Sequence, residues 1–243
     1  MPDVESLAER LRAYPRGEGG FIVGVTGGVA VGKSTLAAAL KARIEAWPEA
    51  PRVELAGTDG FLRSNAALER AGLTARKGFP ESYDADALRE ALTAVRRGPA
   101  TFPGYSHLVY DVDAALARRL DRPDLLIIEG LGLSRATPVD VLIYLDGRER
   151  DLEAWFVTRF MEFWQAGLID AASFYARFAH LDREAATRLA HMVWKTINLP
   201  NLRTHIRPLR ALADIVVRKG RGHQIESIVS RRRSRGRPPV RRQ

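Results

Sequence analysis

Residues 27–35 combine residue types and spacing that suit one task, holding a chain of phosphates: Gly27, Gly28, Val29, Ala30, Val31, Gly32, Lys33, Ser34 and Thr35. Four residues separate Gly27 from Gly32, which lets the backbone curl so that successive N–H groups point inward at the β- and γ-phosphates of a nucleotide. Lys33 adds a mobile positive charge on those phosphates, and Ser34 offers a hydroxyl to Mg²⁺. A helix starting near Lys33 aims the positive end of its dipole at the same anion. The apolar runs 21–25 before the loop and 36–40 after it provide the strand and helix that such a loop requires. The motif is specific for phosphate binding and silent on the acceptor.

Phosphoryl transfer to a hydroxyl needs a carboxylate to accept the proton, and usually a second acid near Mg²⁺ or its waters. In an open parallel sheet such groups gather at the carboxyl ends of the strands. Asp59 follows the run 53–58 (VELAGT), and Glu129 follows the aliphatic run 125–128. Asp59 is assigned as base and Glu129 as the acid near the metal, although spacing alone does not order the two roles. Residues 105–111 (YSHLVYD) set Tyr105, His107 and Tyr110 close together, able to hydrogen-bond a small polar substrate. Arg159, a lone cation among Trp155, Phe156, Phe160, Phe163 and Trp164, suits phosphoryl oxygens or a substrate carboxylate, with a salt-bridged surface arginine as the alternative.

These residues need a sheet to position them. Five short runs rich in branched aliphatics and without alternation, 21–25, 53–56, 125–128, 141–145 and 215–217, predict strands buried on both faces of a parallel sheet. Helical spacing is read at 4–13, 33–46, 85–96, 112–120 and 149–164, and the pattern stays helical from 149 to about 213. Alternating strands and helices argue a doubly wound α/β sheet, with 149–213 as a helical part covering the substrate and 1–229 as one domain.

The 243 residues suit one such domain. With no cysteine, disulfides and thiolate metal sites are excluded. No run of eighteen apolar residues exists, and the N-terminus lacks the basic-then-apolar order of a signal peptide, so a cytoplasmic protein without a membrane span is expected. The formal net charge is +9, but seven arginines lie in 230–243, and without them the body is nearly balanced. That segment, with two adjacent prolines and no apolar periodicity, reads as a disordered, solvated basic tail, with a nucleic-acid or acidic surface contact as the alternative.

Taken together the motifs resemble one family closely, the prokaryotic type I pantothenate kinases within the wider P-loop kinase group that includes uridine kinase and phosphoribulokinase. The matching blocks are 27–35 (GGVAVGKST), 58–62 (TDGFL), 77–84 (KGFPESYD), 105–111 (YSHLVYD), 127–131 (IIEGL), Arg159-Phe160 and 194–198 (WKTIN), in order across about 21–230. The resemblance implies ATP-dependent phosphorylation of pantothenate, the committed step toward coenzyme A, with ATP and Mg²⁺. It implies Lys33 on the transferring phosphate, Ser34 on Mg²⁺ and Asp59 as the base near the pantothenate hydroxyl. Tyr105, His107, Tyr110, Arg159 and Asn198 would surround the substrate, with Phe160, Phe163 and Tyr175 as an aromatic wall and His223 near the adenine. It also implies a homodimer. Phe156 and Phe178 stand where the family commonly has tyrosine, which predicts a more apolar wall. Ala38 stands where relatives subject to coenzyme A feedback carry an arginine, which predicts weakened inhibition.

Overall fold

The structure is a computed structural model that describes residues 2–15 and 19–231. The described residues form eight strands and eight α-helices, which alternate in the first part of the chain and are grouped thereafter. The strands are β1 (Phe21–Gly27), β2 (Val53–Gly57), β3 (Ala100–Ser106), β4 (Asp111–Leu120), β5 (Leu125–Glu129), β6 (Val141–Asp146), β7 (Ile215–Lys219) and β8 (Ile225–Ser230). The helices are α1 (Val4–Arg12), α2 (Lys33–Glu45), α3 (Asn65–Arg70), α4 (Ala85–Val95), α5 (Glu149–Ile169), α6 (Arg183–Val193), α7 (Leu199–Asn201) and α8 (Leu209–Leu212).

Six strands form one sheet in the order β2-β5-β1-β6-β7-β8. All neighbours run parallel except the closing pair β7 and β8. The doubly wound expectation therefore holds, and each strand run read from the sequence is a strand of this sheet; β2, however, lies at its edge, where no further strand covers it, and only Val53 of it is buried, so burial on both faces fails there. Every residue of β1 is buried, as are the aliphatic residues of β5 and β6. Continuous apolar strands of this kind are stable only where both faces are covered. The main core joins them to Leu7 and Leu11 of α1, Leu36, Leu40 and Ile44 of α2, and Leu88 and Leu92 of α4. Because β1 lies between β5 and β6, the loop that leaves it opens at the point where the chain connections diverge, the usual place for a ligand in such sheets.

A second expectation fails as well. Residues 112–120 form no helix; they belong to β4, which pairs antiparallel with β3 in a separate two-stranded ribbon. The Ala, Leu and Arg of this stretch favour a helix intrinsically, but pairing with a distant strand overrides that preference. The partner was hidden because β3 contains Pro103 and Gly104, which weaken a strand signal, and the register shifts between Phe102 and Gly104 where a bulge accommodates them.

From Glu149 to Leu212 the chain is helical apart from short turns. Two wide turns of π type, Trp194–Asn198 and Leu202–Ile206, flank α7. Pro200 and Pro208 have no N–H to give to the helical ladder, and the adjoining turns widen. This region has a small core of its own, made of Phe160, Met161, Trp164, Ala186 and Ala190. It docks on the main core through Leu152, Trp155, Trp194 and Leu202. Of the basic tail, Ser230 ends β8 and Arg231 donates its backbone N–H to the Asp214 carbonyl (2.7 Å); 232–243 lie outside the described residues.

Candidate active site

The loop between β1 and α2 has the backbone its glycines allow. At Gly27 a Cβ would lie 2.4 Å from the Leu145 carbonyl oxygen on β6, so only glycine lets the loop leave the sheet this closely. Gly32 adopts a left-handed conformation (φ +87°) and caps α2, whose first residue is Lys33. The N-terminus of a thirteen-residue helix thus faces the loop's interior. Lys33 Nζ donates to the carbonyls of Gly28 (3.1 Å) and Gly27 (3.4 Å), folded back along the loop. Burial pushes its ammonium pKa down; Glu129 and Asp59 pull it back up, and the Arg159 guanidinium pushes it further down. Residues from four separate segments therefore share one electrostatic site.

Glu129 ends β5 in register with Gly57 of β2 and Val25 of β1, and its Oε1 accepts a hydrogen bond from the Ser34 hydroxyl (2.8 Å). Among the described residues no group of three or more His, Cys, Asp and Glu could hold a metal ion. One hydroxyl and one carboxylate nevertheless suit Mg²⁺, which takes few protein ligands and completes its octahedron with phosphate and water.

Asp59 sits in a short helical turn, Thr58–Phe61, directly after β2. The turn is fixed from below: buried Thr58 accepts the Gly132 N–H on its hydroxyl (3.1 Å). From the side, the Tyr83 hydroxyl donates to Asp59 Oδ1 (3.3 Å). Tyr83 is buried, and burial together with the Asp59 charge holds its phenol well above the ordinary range. Its proton stays on, and it remains a donor to the carboxylate.

Opposite Asp59 lies an aromatic box. The Tyr105 ring meets His107 at 5.1 Å and Tyr110 at 6.0 Å between centroids, and Tyr110 in turn meets Phe174 (4.6 Å) and Tyr175 (6.4 Å). Tyr175 stacks on Phe163 (5.2 Å), and the Arg159 guanidinium lies 5.2 Å from the Phe163 centroid. Tyr105 and Tyr110 are held above the usual phenol range, chiefly by burial. The His107 imidazole is pushed down, chiefly by burial, so that it is neutral at pH 7. The structure thus gathers Tyr105, His107, Tyr110, Arg159, Phe163 and Tyr175 beside Asp59. Phe156 and Phe178 pack against Phe160 as part of the cover's core. Asn198 lies in the first wide turn, and its buried amide nitrogen has no hydrogen-bond partner among the described residues.

Residues not singled out from the sequence also stand here. Lys77 places its ammonium 4.3 Å from the Tyr110 centroid and 5.1 Å from that of Tyr105, and donates to Asn65 Oδ1 (2.6 Å). Burial lowers its pKa to about 8 against the pull of Asp111 and Asp59. Both Lys77 and Tyr83 belong to the 77–84 block, whose family likeness was visible while their individual roles were not. Near Gly32, His223 stacks on Trp155 (4.0 Å between centroids, 26° between planes), and the Trp155 indole donates to the Arg221 carbonyl (2.9 Å). His223 Nδ1 comes within 3.8 Å of where a Cβ on Gly32 would be, which puts the stacked pair beside the phosphate loop. Among the described residues, no helix is long and apolar enough to cross a membrane.

The parallel sheet, the phosphate loop and the paired acids at neighbouring strand ends define a P-loop kinase. Solved structures agree. A candidate fructose transport system kinase from Silicibacter is 26% identical with a TM-score of 0.67, covering 84% of this chain and 93% of that one. D-glycerate 3-kinase from Cryptococcus neoformans, at 13% identity, shares the fold with a TM-score of 0.60 over 93% of this chain and 96% of its own. No family model matches the chain. The pantothenate kinase of Rhizobium rhizogenes is 44% identical over 228 residues, 87% of this chain and 69% of the relative. That of Leifsonia xyli is 42% identical over 238 residues, 93% and 72% respectively. The chain belongs to the pantothenate kinase family.

Proposed function

We propose that the protein transfers the γ-phosphoryl group of ATP to the primary hydroxyl of pantothenate, giving 4'-phosphopantothenate and ADP, the first step of coenzyme A biosynthesis. The observation that carries this reading is the convergence of Lys33, Glu129, Asp59 and Arg159 on one electrostatic site whose open side is the aromatic box. Donor and acceptor sites meet at Asp59.

In this reading the backbone of 27–35 cradles the ATP phosphates and Lys33 leaves the Gly28 carbonyl to pair with them. Ser34 and Glu129 hold Mg²⁺, which supplies charge neutralisation on the phosphates. Asp59 accepts the proton of the pantothenate hydroxyl as that oxygen bonds to the γ-phosphorus and the bond to the ADP oxygen breaks. Tyr83, donating to Oδ1, fixes the direction in which the carboxylate presents its other oxygen. Arg159 pairs with the phosphoryl oxygens that gain charge in the transition state. Tyr105, His107, Tyr110 and Asn198 hydrogen-bond the polar atoms of the acceptor, while Phe163 and Tyr175 exclude water from it. His223, stacked on Trp155 beside the loop, is assigned to the adenine in this reading.

Helix α2 exposes Ala38, so coenzyme A competes only weakly with ATP in this reading, and strong competition in a kinetic assay would count against it. The functional unit is proposed to be a cytoplasmic homodimer, checked by sedimentation. Coupled ADP release with pantothenate, uridine, ribulose 5-phosphate and glycerate as acceptors tests the central reaction. Pantothenate should give a kcat/KM at least about 10²-fold above the others, the discrimination expected when buried polar groups would otherwise be left unpaired. Preference for another hydroxylated metabolite would instead place the effect of Phe156 and Phe178 at the acceptor.

A further inference from the structure

Lys219 is the last residue of β7, and its side chain is buried to 93%. Its neighbour Arg218 points to the opposite face, as alternation along a strand requires, and pairs with Glu226 at the surface (3.5 Å). Lys219 has no such outlet. Among the described residues its ammonium has no hydrogen-bond or ion-pair partner. Burial lowers its pKa, and no carboxylate offsets the effect.

What the ammonium does face is the phosphate loop. Nζ lies 3.3 Å from the position a Cβ on Gly32 would occupy, and His223 Nδ1 lies 3.8 Å from the same point. The positive charge in turn helps push the His223 imidazole pKa down, so the two groups share one small space against the loop. The ammonium carries no countercharge of its own, and an anion brought to the loop would supply one. The anion that the loop beside it is built to hold is a nucleotide phosphate.

We infer that Lys219 is a second lysine of the phosphate site, lying outside the loop motif, whose ammonium pairs with the phosphates of the bound nucleotide from the β7 side of Gly32. This rests on the reading of the loop as the ATP site. Lys219 meets the loop at Gly32, and in this inference it pairs with phosphates that ATP, the transition state and ADP all carry. It is a binding residue.

The test compares the full chain with Lys219→Met, close in shape and neutral, and Lys219→Gln, neutral and polar. Calorimetric titration with ADP and with a non-hydrolysable ATP analogue should show Kd raised about tenfold or more in both variants, the size of one charge-assisted hydrogen bond. At saturating ATP, kcat should stay within about threefold of the wild type, as loss of uniform binding requires. Thermal melts without nucleotide check that both variants are folded. Nucleotide affinity within twofold of the wild type in both variants would overturn the assignment. A wild type that binds the analogue but phosphorylates no pantothenate would sink the acceptor reading and leave Lys219 standing. A wild type that phosphorylates pantothenate beside a Lys219→Met of unchanged affinity would do the reverse.

Discussion

The two halves of the site are held in different ways. The donor half is a loop between two elements of the main core: β1 is buried throughout, and α2 places Leu36, Leu40 and Ile44 against the sheet. The acceptor half draws on the turn after β2, the 77–84 block, the β3–β4 ribbon and the helical cover. Much of its wall rests on the small core of Phe160, Met161, Trp164, Ala186 and Ala190. The donor half is therefore built on the main core, while part of the acceptor half rests on a second, smaller one.

Trp164 is the sharpest place to separate the halves. It is buried in the cover, and its indole donates to the Phe178 carbonyl (3.1 Å). Trp164→Ala should destabilise the cover by about 3–5 kcal/mol. Hydrogen exchange should then speed up in α5 and α6 while β1, β5 and β6 keep their protection, and KM for the acceptor should rise with ATP affinity preserved. Uniform loss of protection would mean that the halves form one cooperative unit.

Lys33→Met attacks the donor half instead. Removing a charge that acts on the transferring phosphate should lower kcat about 10²–10³-fold. The melting temperature should hardly change, because Lys33 bonds only to the Gly27 and Gly28 carbonyls at the open side of the loop. Steady-state kinetics and calorimetry on one preparation check both halves of the statement.

A smaller effect is expected where the halves meet. Tyr83→Phe removes one hydrogen bond from Asp59 and should lower kcat about 2–10-fold, with ATP affinity unchanged, a loss read by comparing kcat with nucleotide Kd. The smallest effect lies at the root of the cover. Glu149, at the start of α5, accepts from Arg203 (2.7 Å) and Arg207 (2.6 Å), and these bonds lower its carboxyl pKa from 4.5 to about 2. A lowered carboxylate pKa contributes stability that is present above the unfolded value and lost as pH falls through the folded one. Glu149→Gln should thus cost about 1 kcal/mol at pH 7. It should also flatten the loss of stability between pH 4.5 and about 2, measured by thermal melts across that window.

The same contrast explains what could be read from the chain. The phosphate loop is a contiguous strand, turn and helix whose chemistry is local, and the buried strands β1, β5 and β6 announce themselves as aliphatic runs. Asp59 and Glu129 followed from their places at strand ends. The ribbon was illegible because β4 carries helix-favouring residues and β3 carries Pro103 and Gly104, so only their pairing makes either a strand. Tyr83 on Asp59, and Lys219 beside Gly32, depend on approaches between segments far apart in sequence, for which no spacing rule exists. The aromatic helix α5 sits between these cases. Its periodicity predicts packing, and packing is what Phe156, Phe160 and Trp164 do, while Phe163 on the same helix faces Tyr175 and Arg159 in the acceptor wall.

The account stands most directly on Asp59 as the point where the halves join, and Asp59→Asn tests it. Replacing the carboxylate with an amide of the same shape should lower pantothenate-dependent turnover about 10²–10⁴-fold, the contribution of a positioned general base. Nucleotide affinity, set by the donor half, should stay within about threefold of the wild type, the spread expected of an isosteric change that touches no phosphate. Turnover close to that of the wild type, or a fall in turnover that follows lost ATP binding, would contradict it.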